Sequence, residues 1–267
     1  MDISEIGQTY QFLLRQRIAE SKPSGRRRMR PGESDVVSIL RSADVDGIDQ
    51  FNDFLRPQGM QIREYTDTDF GAIPVGGKIW LLARHPEGNP PEYMSTKRIY
   101  EAIRLRDNES HESGNIWFLH IWLIYLSLIY TRPGRGVSQI SDYKDAMFLE
   151  KQLIDAVREH IEKVRNIGID KGATRKVVEV LDSEKGSDVS RRIKGFLSLM
   201  CDSGLLIQIS DGEYQQTLLG AVEIAEGFDR SMRHYIIPEE SVLNNIVNVM
   251  APETEQTDEM EVADVIN

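Results

Sequence analysis

The chain is poor in the residues that would commit it to chemistry or to a membrane. It has one cysteine, Cys201, in 267 residues. No disulfide framework and no cysteine metal cluster can be built from one thiol. Cys201 falls on an apolar helical face and reads as a small buried hydrophobe in a reducing, cytoplasmic compartment. Net positive charge is also lacking, because the balance is −11. A bulk polycation that coats nucleic acid is therefore excluded. The longest apolar run, IWFLHIWLIYLSLIY at 116–130, has 15 residues and contains His120 and Ser127. A spanning helix needs about 20 apolar residues. The run is expected to be a helix buried on most of its surface, with no membrane contact. The start, MDISEIGQTY, has no basic region leading into an apolar core, so no signal peptide is expected.

Catalytic motifs are missing too. The five histidines (His85, His111, His120, His160 and His234) lack the spacing of a helical metal pair. His120, inside the apolar run, is expected to be a hydrogen-bonded core residue. There is no phosphate-binding loop of the GxxxxGK[ST] type and no GxSxG elbow. Asp182, Glu184 and Asp188 lie close in sequence, but in a loop with no strand context. They read as solvated carboxylates before a helix rather than as a nuclease metal site. No enzyme and no cofactor is expected.

What is present is alternation of helical and strand-like patterning. Residues 1–20 carry Ile3, Ile6, Tyr10, Leu13, Leu14 and Ile18 at helical spacing. Residues 21–34, SKPSGRRRMRPGES, read as a flexible basic linker. Helices are expected at 34–42 and 46–57, with Gly59 ending the second. Strands are expected at 60–65 and 78–84. Helix 95–107 leads through a polar stretch to helix 116–130. A long amphipathic helix follows near 141–167, then a shorter one at 173–182. The clearest local pattern is a helix over 188–203 with Val189, Ile193, Phe196, Leu197 and Met200 buried. Gly204 caps it, and strands 205–209 and 214–217 flank the turn Ser210-Asp211-Gly212. Helix 218–225 closes that unit, a helix is expected at 238–250, and residues 251–267 form an acidic tail.

These elements predict a mainly α fold with small β-wings, an α+β protein of tandem winged-helix domains. The expected division is 1–33 N-terminal helix and basic linker, 34–92 first winged-helix unit, 93–113 connecting helix, 114–228 second winged-helix unit, and 229–267 C-terminal segment. Helix 188–203 would be the groove-facing helix, with Arg191, Arg192 and Lys194 pointing away from the apolar stripe. Arg175 and Lys176 would add phosphate contacts. Arg26, Arg27, Arg28 and Arg30 would form an arm along the DNA backbone. A merely solvated basic face and a merely soluble linker are equally consistent with these residues.

The order of elements resembles the MukE/MksE-type accessory subunits of bacterial condensins, within the KITE group of tandem winged-helix proteins. The resemblance rests on FNDFLRPQG (51–59), GGKIWLLARHP (76–86), the apolar helix 116–130, and GSDVSRRIKGFLSLMCDSGLLIQISDGEYQQTL (186–218), with an acidic tail behind. It spans about residues 34–250 and is one of order and pattern with little identity. The basic stretch 26–30 is not a feature of that family. The resemblance implies a homodimer or hetero-oligomer that binds a kleisin or an SMC-like ATPase and helps clamp double-stranded DNA, at the nucleoid in the cytoplasm. ATP hydrolysis, Mg²⁺ and any cutting would belong to partners. Similar subunits serve chromosome organisation and bacterial defence against plasmids and phages. A winged-helix transcriptional regulator, or a restriction or nuclease component, are the alternative readings.

Overall fold

A computed structural model describes residues 1–23, 28–70, 73–130, 146–167, 173–182 and 186–228. The expected helix 238–250, the acidic tail, the first part of the helix placed at 141–167, and Glu184, Arg26 and Arg27 lie outside the described residues.

The chain opens with helix α1 (Ile3–Gln16), whose first turn is closed by a capping box between Asp2 and Glu5. The expected helix to residue 20 stops four residues early. Arg17 turns the backbone with φ 62°, and Ile18–Glu20 becomes strand β1. Two helices follow, α2 (Glu33–Ser42) and α3 (Val45–Leu55), the latter capped by the Asp44 side chain on the Gly47 amide. Strands β2 (Met60–Thr66) and β3 (Lys78–Arg84) form an antiparallel hairpin, and β1 joins its far side, giving the order β1-β3-β2.

Strand β3 therefore sits in the middle, which explains its unbroken apolar run KIWLLAR. A strand covered on both faces has no solvent side to make polar. Trp80 and Leu82 face a core formed with Leu13, Leu40, Phe51 and Leu55. Ile79, Leu81 and Ala83 face the opposite way, into the larger core of the rest of the molecule.

A short helix α4 (Thr96–Ile103) leads to α5 (His111–Tyr130). The polar stretch before the apolar run turns out to supply the first turn of α5, so the helix has 20 residues. By length and composition alone it could cross a membrane, but 56% of its apolar window is buried inside this fold. Next come strand β4 (Met147–Leu149), then α6 (Glu150–Ile167), α7 (Ala173–Asp182) and α8 (Gly186–Asp202). The hairpin β5 (Leu206–Ser210) and β6 (Glu213–Gln216) follows, and β4 pairs with β6 to give the order β4-β6-β5. Neither β1 nor β4 was expected from the sequence. Helix α9 (Leu218–Glu223), capped by the Thr217 hydroxyl, runs on into a π-helical turn at 224–228.

Helices thus predominate around two small antiparallel sheets, an α+β architecture. Both sheets arise from one connection: a helix, a short strand, further helices, then a hairpin whose second strand pairs with the short one. The second part differs by one extra helix before its hairpin.

Two carboxylates at the end of α9 clasp the first sheet. Glu223 accepts from the Arg84 amide (2.9 Å) and the Tyr93 hydroxyl (2.9 Å) and pairs with Arg17 (3.4 Å). Arg17 also lies over the Tyr93 ring, 3.8 Å from its centroid. One turn on, Glu226 accepts from Gln61 and pairs with Arg63 at 2.9 Å.

Candidate nucleic-acid interface

Helix α8 carries the residues that sequence reasoning singled out. Its apolar positions Val189, Ile193, Phe196, Leu197 and Met200 are buried as expected. Gly204, with φ +73°, ends it in the left-handed region that glycine adopts without a Cβ penalty. Strands β5 and β6 then form the expected hairpin around Ser210–Gly212.

Arg192 is a correction. It was expected on the outer face, but only 1% of it is exposed. Its Nη1 donates to the Ile103 carbonyl (3.0 Å) and pairs with Glu109 Oε1 (2.8 Å), and its guanidinium lies 4.9 Å from the Trp117 ring centroid. Ile103 is the last residue of α4, so Arg192 places a cation on a helix C-terminus, where exposed carbonyls favour one. Glu109 is the anchor of this cluster. Burial opposes its ionisation. The Leu105 amide, the Arg192 guanidinium and the Ser113 hydroxyl outweigh that and hold its carboxyl below the usual range.

The cause is a helix crossing. Helix α8 meets α4 at Gly195, where a Cβ would stand 2.0 Å from the Ala102 carbonyl oxygen. Only glycine allows so close an approach, and it carries Arg192 onto the end of α4. The spacing could have shown this. Arg192 lies three residues after Val189 and four before Phe196, within the buried arc.

Arg191 and Lys194 do face solvent, with about two-thirds of each side chain exposed. Each has an acidic neighbour: Asp188 lies 3.7 Å from Arg191, and Glu150 lies 3.8 Å from Lys194. Lys176 is exposed on α7 but pairs with Glu112 of α5. Arg175 belongs to the same helix α7. Arg28 is exposed. Arg30 is drawn inward by the fully buried Glu33, which accepts from the Arg30 and Glu20 amides (2.7 and 3.0 Å), while Arg30 Nη1 reaches the Ile18 carbonyl (3.2 Å). Arg30 fastens the chain to β1 and is not part of a free arm. The hairpin beside α8 adds no cation: Ile207, Gln208, Ile209 and Ser210 of β5 are the exposed residues.

Sites for other chemistry do not assemble. Among the described residues, no three His, Cys, Asp or Glu side chains stand close enough to share a metal. Asp182 pairs with Arg165, and Asp188 with Arg106 and Arg191. His120 is a second correction: it is fully buried, yet neither ring nitrogen has a hydrogen-bond partner among the described residues. It packs 4.8 Å from the His160 ring, whose nitrogens also lack a partner among the described residues. Burial pushes His120 well below the usual histidine range and His160 down to about 4, with Lys163 adding to the latter shift. Cys201 is only partly buried, and burial raises its thiol to about 11.

No family model, no curated protein and no solved structure matches this chain.

Proposed function

We propose that the chain is a non-catalytic, tandem winged-helix accessory subunit of an SMC/condensin-like complex. In this reading it binds a kleisin or SMC-like ATPase chiefly through protein contacts and adds a modest contact to duplex DNA. The carrying observation is the repeated connection: helix, strand, helices and hairpin, with the first strand against the third, occurs twice in one chain. This repeated order supports reading each part as a winged helix. The dispersed titratable groups support a binding role over catalysis, which needs convergent acid, base or metal ligands.

The electrostatics support a weak DNA contact. A recognition helix that supplied most of the affinity would present several unpaired cations to phosphate. Helix α8 offers Arg191 and Lys194, each beside a carboxylate. A transcriptional regulator that reads a site alone would need a richer face, so the complex-bound role fits better. The role in chromosome organisation or in defence against plasmids and phages follows the partner.

Copurification of the tagged full chain from its native host tests this reading. An SMC-type ATPase or kleisin in stoichiometric amount is the expected result. A lone chain with a sharp promoter footprint would sink it. In duplex-DNA binding, R191E/K194E should weaken affinity and reduce the salt slope by about 2. Unchanged binding would remove α8 from the interface.

A further inference from the structure

The second sheet turns an apolar face to solvent. Its cross-strand pairs put Met147 and Ile207 on either side of Gln215, in one row on one face. Leu149, two residues beyond Met147, shares that face, and Ile209 follows in the bulge of β5. These four side chains are 38–49% exposed. The other face carries Phe148 and Tyr214, stacked and buried. Among the described residues, four of the ten exposed large hydrophobics thus fall on three short strands, which makes a patch rather than scatter. Contiguous patches of this kind mark interaction sites. The first hairpin is unlike it, because β2 exposes Arg63 and Glu64.

We propose that this face docks a protein segment whose apolar side chains are flanked by lysine or arginine. Charge selects that occupant. Strands β4, β5 and β6 contain no lysine or arginine. Asp211 and Glu213 stand at the hairpin turn, and neither forms an ion pair among the described residues. Lys151 and Lys194 belong to α6 and α8, and Lys194 is matched by Glu150. The turn is therefore an acidic rim beside the apolar patch. It repels DNA phosphate and an anionic lipid surface. A second copy would bring another acidic turn to the interface, on a chain whose net charge is already −11. A cation-flanked apolar segment gains from the patch and from the rim together. The inference rests on the accessory-subunit reading and deepens it. The wing beside α8 becomes the surface that holds the protein partner, and the DNA contact is left to Arg191 and Lys194.

Photo-cross-linking of the full chain in its native host tests the assignment, with p-benzoylphenylalanine as the probe in place of Ile207. Mass spectrometry of the joined peptide should identify one partner segment, apolar and flanked by lysine or arginine. The same probe in place of Val75, which is exposed on the first part of the chain, should not capture it. M147Q/I207Q should lower recovery of that partner about tenfold, as lost apolar burial allows. D211N/E213Q should lower it about threefold, a loss that salt at about 0.5 M removes. Cross-linking to a second copy, to lipid or to DNA, no cross-link at all, or full recovery with M147Q/I207Q would each overturn the proposal. Full recovery with D211N/E213Q would overturn the choice of a cationic partner. Should a double variant fail to fold, the peptide joined at position 207 of the otherwise unaltered chain decides. An SMC-type ATPase or kleisin that copurifies but does not cross-link there would overturn this inference and leave the accessory-subunit reading standing. A cation-flanked segment from a protein of another class would do the reverse.

Discussion

Helices α3 and α8 hold the same place in two copies of one connection, each leading into a hairpin, yet they carry opposite charge. Helix α3 bears Asp46, Asp49 and Asp53, all exposed, and no lysine or arginine. Helix α8 bears Arg191, Arg192 and Lys194. The hairpins differ too. Strands β2 and β3 have seven residues each, and β3 is buried on both faces. Strand β5 has five residues, and four are exposed. One architecture thus serves two ends. The first sheet is an internal wall, and its helix repels phosphate. The second ends in an open edge whose helix can meet an anion with two side chains at most. Of these two helices, α8 is the one whose exposed side chains favour an anion.

The largest expected effect divides two adjacent arginines. R192A should destabilise the fold by about 3–5 kcal/mol, because it leaves the Glu109 carboxylate without its cation. R191A should change stability by no more than about 0.5 kcal/mol, as exposed substitutions do. Urea unfolding of both variants checks this, and equal losses would mean that α8 is rotated from the phase described.

Cavity-forming substitutions compare the two cores. F51A in the first and F196A in the second should each cost about 3–5 kcal/mol, since both rings are fully buried. A single cooperative transition in both variants is expected, because β3 belongs to both cores. Two separated transitions by calorimetry would show that the halves unfold independently and that the Glu223 and Glu226 clasp contributes little.

Acid should destabilise the whole fold through its second half. Both buried histidines, His120 and His160, lie in its core. Their folded pKa values are depressed, so the unfolded chain binds protons more readily. Stability is then full above the unfolded value near 6.5 and falls as pH drops towards about 4, where His160 titrates in the folded state. The loss from His160 is on the order of 2 kcal/mol at pH 5. The urea midpoint at pH 7.5 and at pH 5 measures it, and H160F should reduce the difference to the part that His120 contributes. A midpoint equally pH-dependent in H160F would place the titrating group elsewhere.

The smallest effect concerns the exposed stripe. K194A should leave stability within about 0.5 kcal/mol and weaken DNA binding slightly, by less than R191E/K194E. A thermal melt shifted by several degrees would mean that the ion pair with Glu150 is structural.

Much of this fold was legible in the sequence because its long elements repeat a pattern. The stripe of α8, the hairpin around Ser210–Gly212, and the strand at 78–84 are periodic or continuous signals that local residues determine. Strands β1 and β4 were not legible. Each has three residues, and neither has a period to read. Strand β1 continues an apolar helical pattern and is set apart only by the left-handed turn at Arg17. The candidate site was half legible. Arg191 and Lys194 are exposed as expected. Arg192 and Arg30 lie inward although their charge points to solvent, because their positions in the chain fall against buried partners. His120 lies in the core as its apolar neighbours imply, and no local pattern shows that it lacks a partner among the described residues.

The sequence by itself determined the longer helices, the two hairpins, and the absence of a recognisable catalytic motif, because these follow from neighbours a few residues away. Tertiary structure decided which cations reach solvent. Burial is set by what packs across from a residue, not by what precedes it. Arg192 is inside because Gly195 lets α8 close onto the end of α4, and Glu109 waits there. Arg191, one residue earlier, points the other way and remains in water.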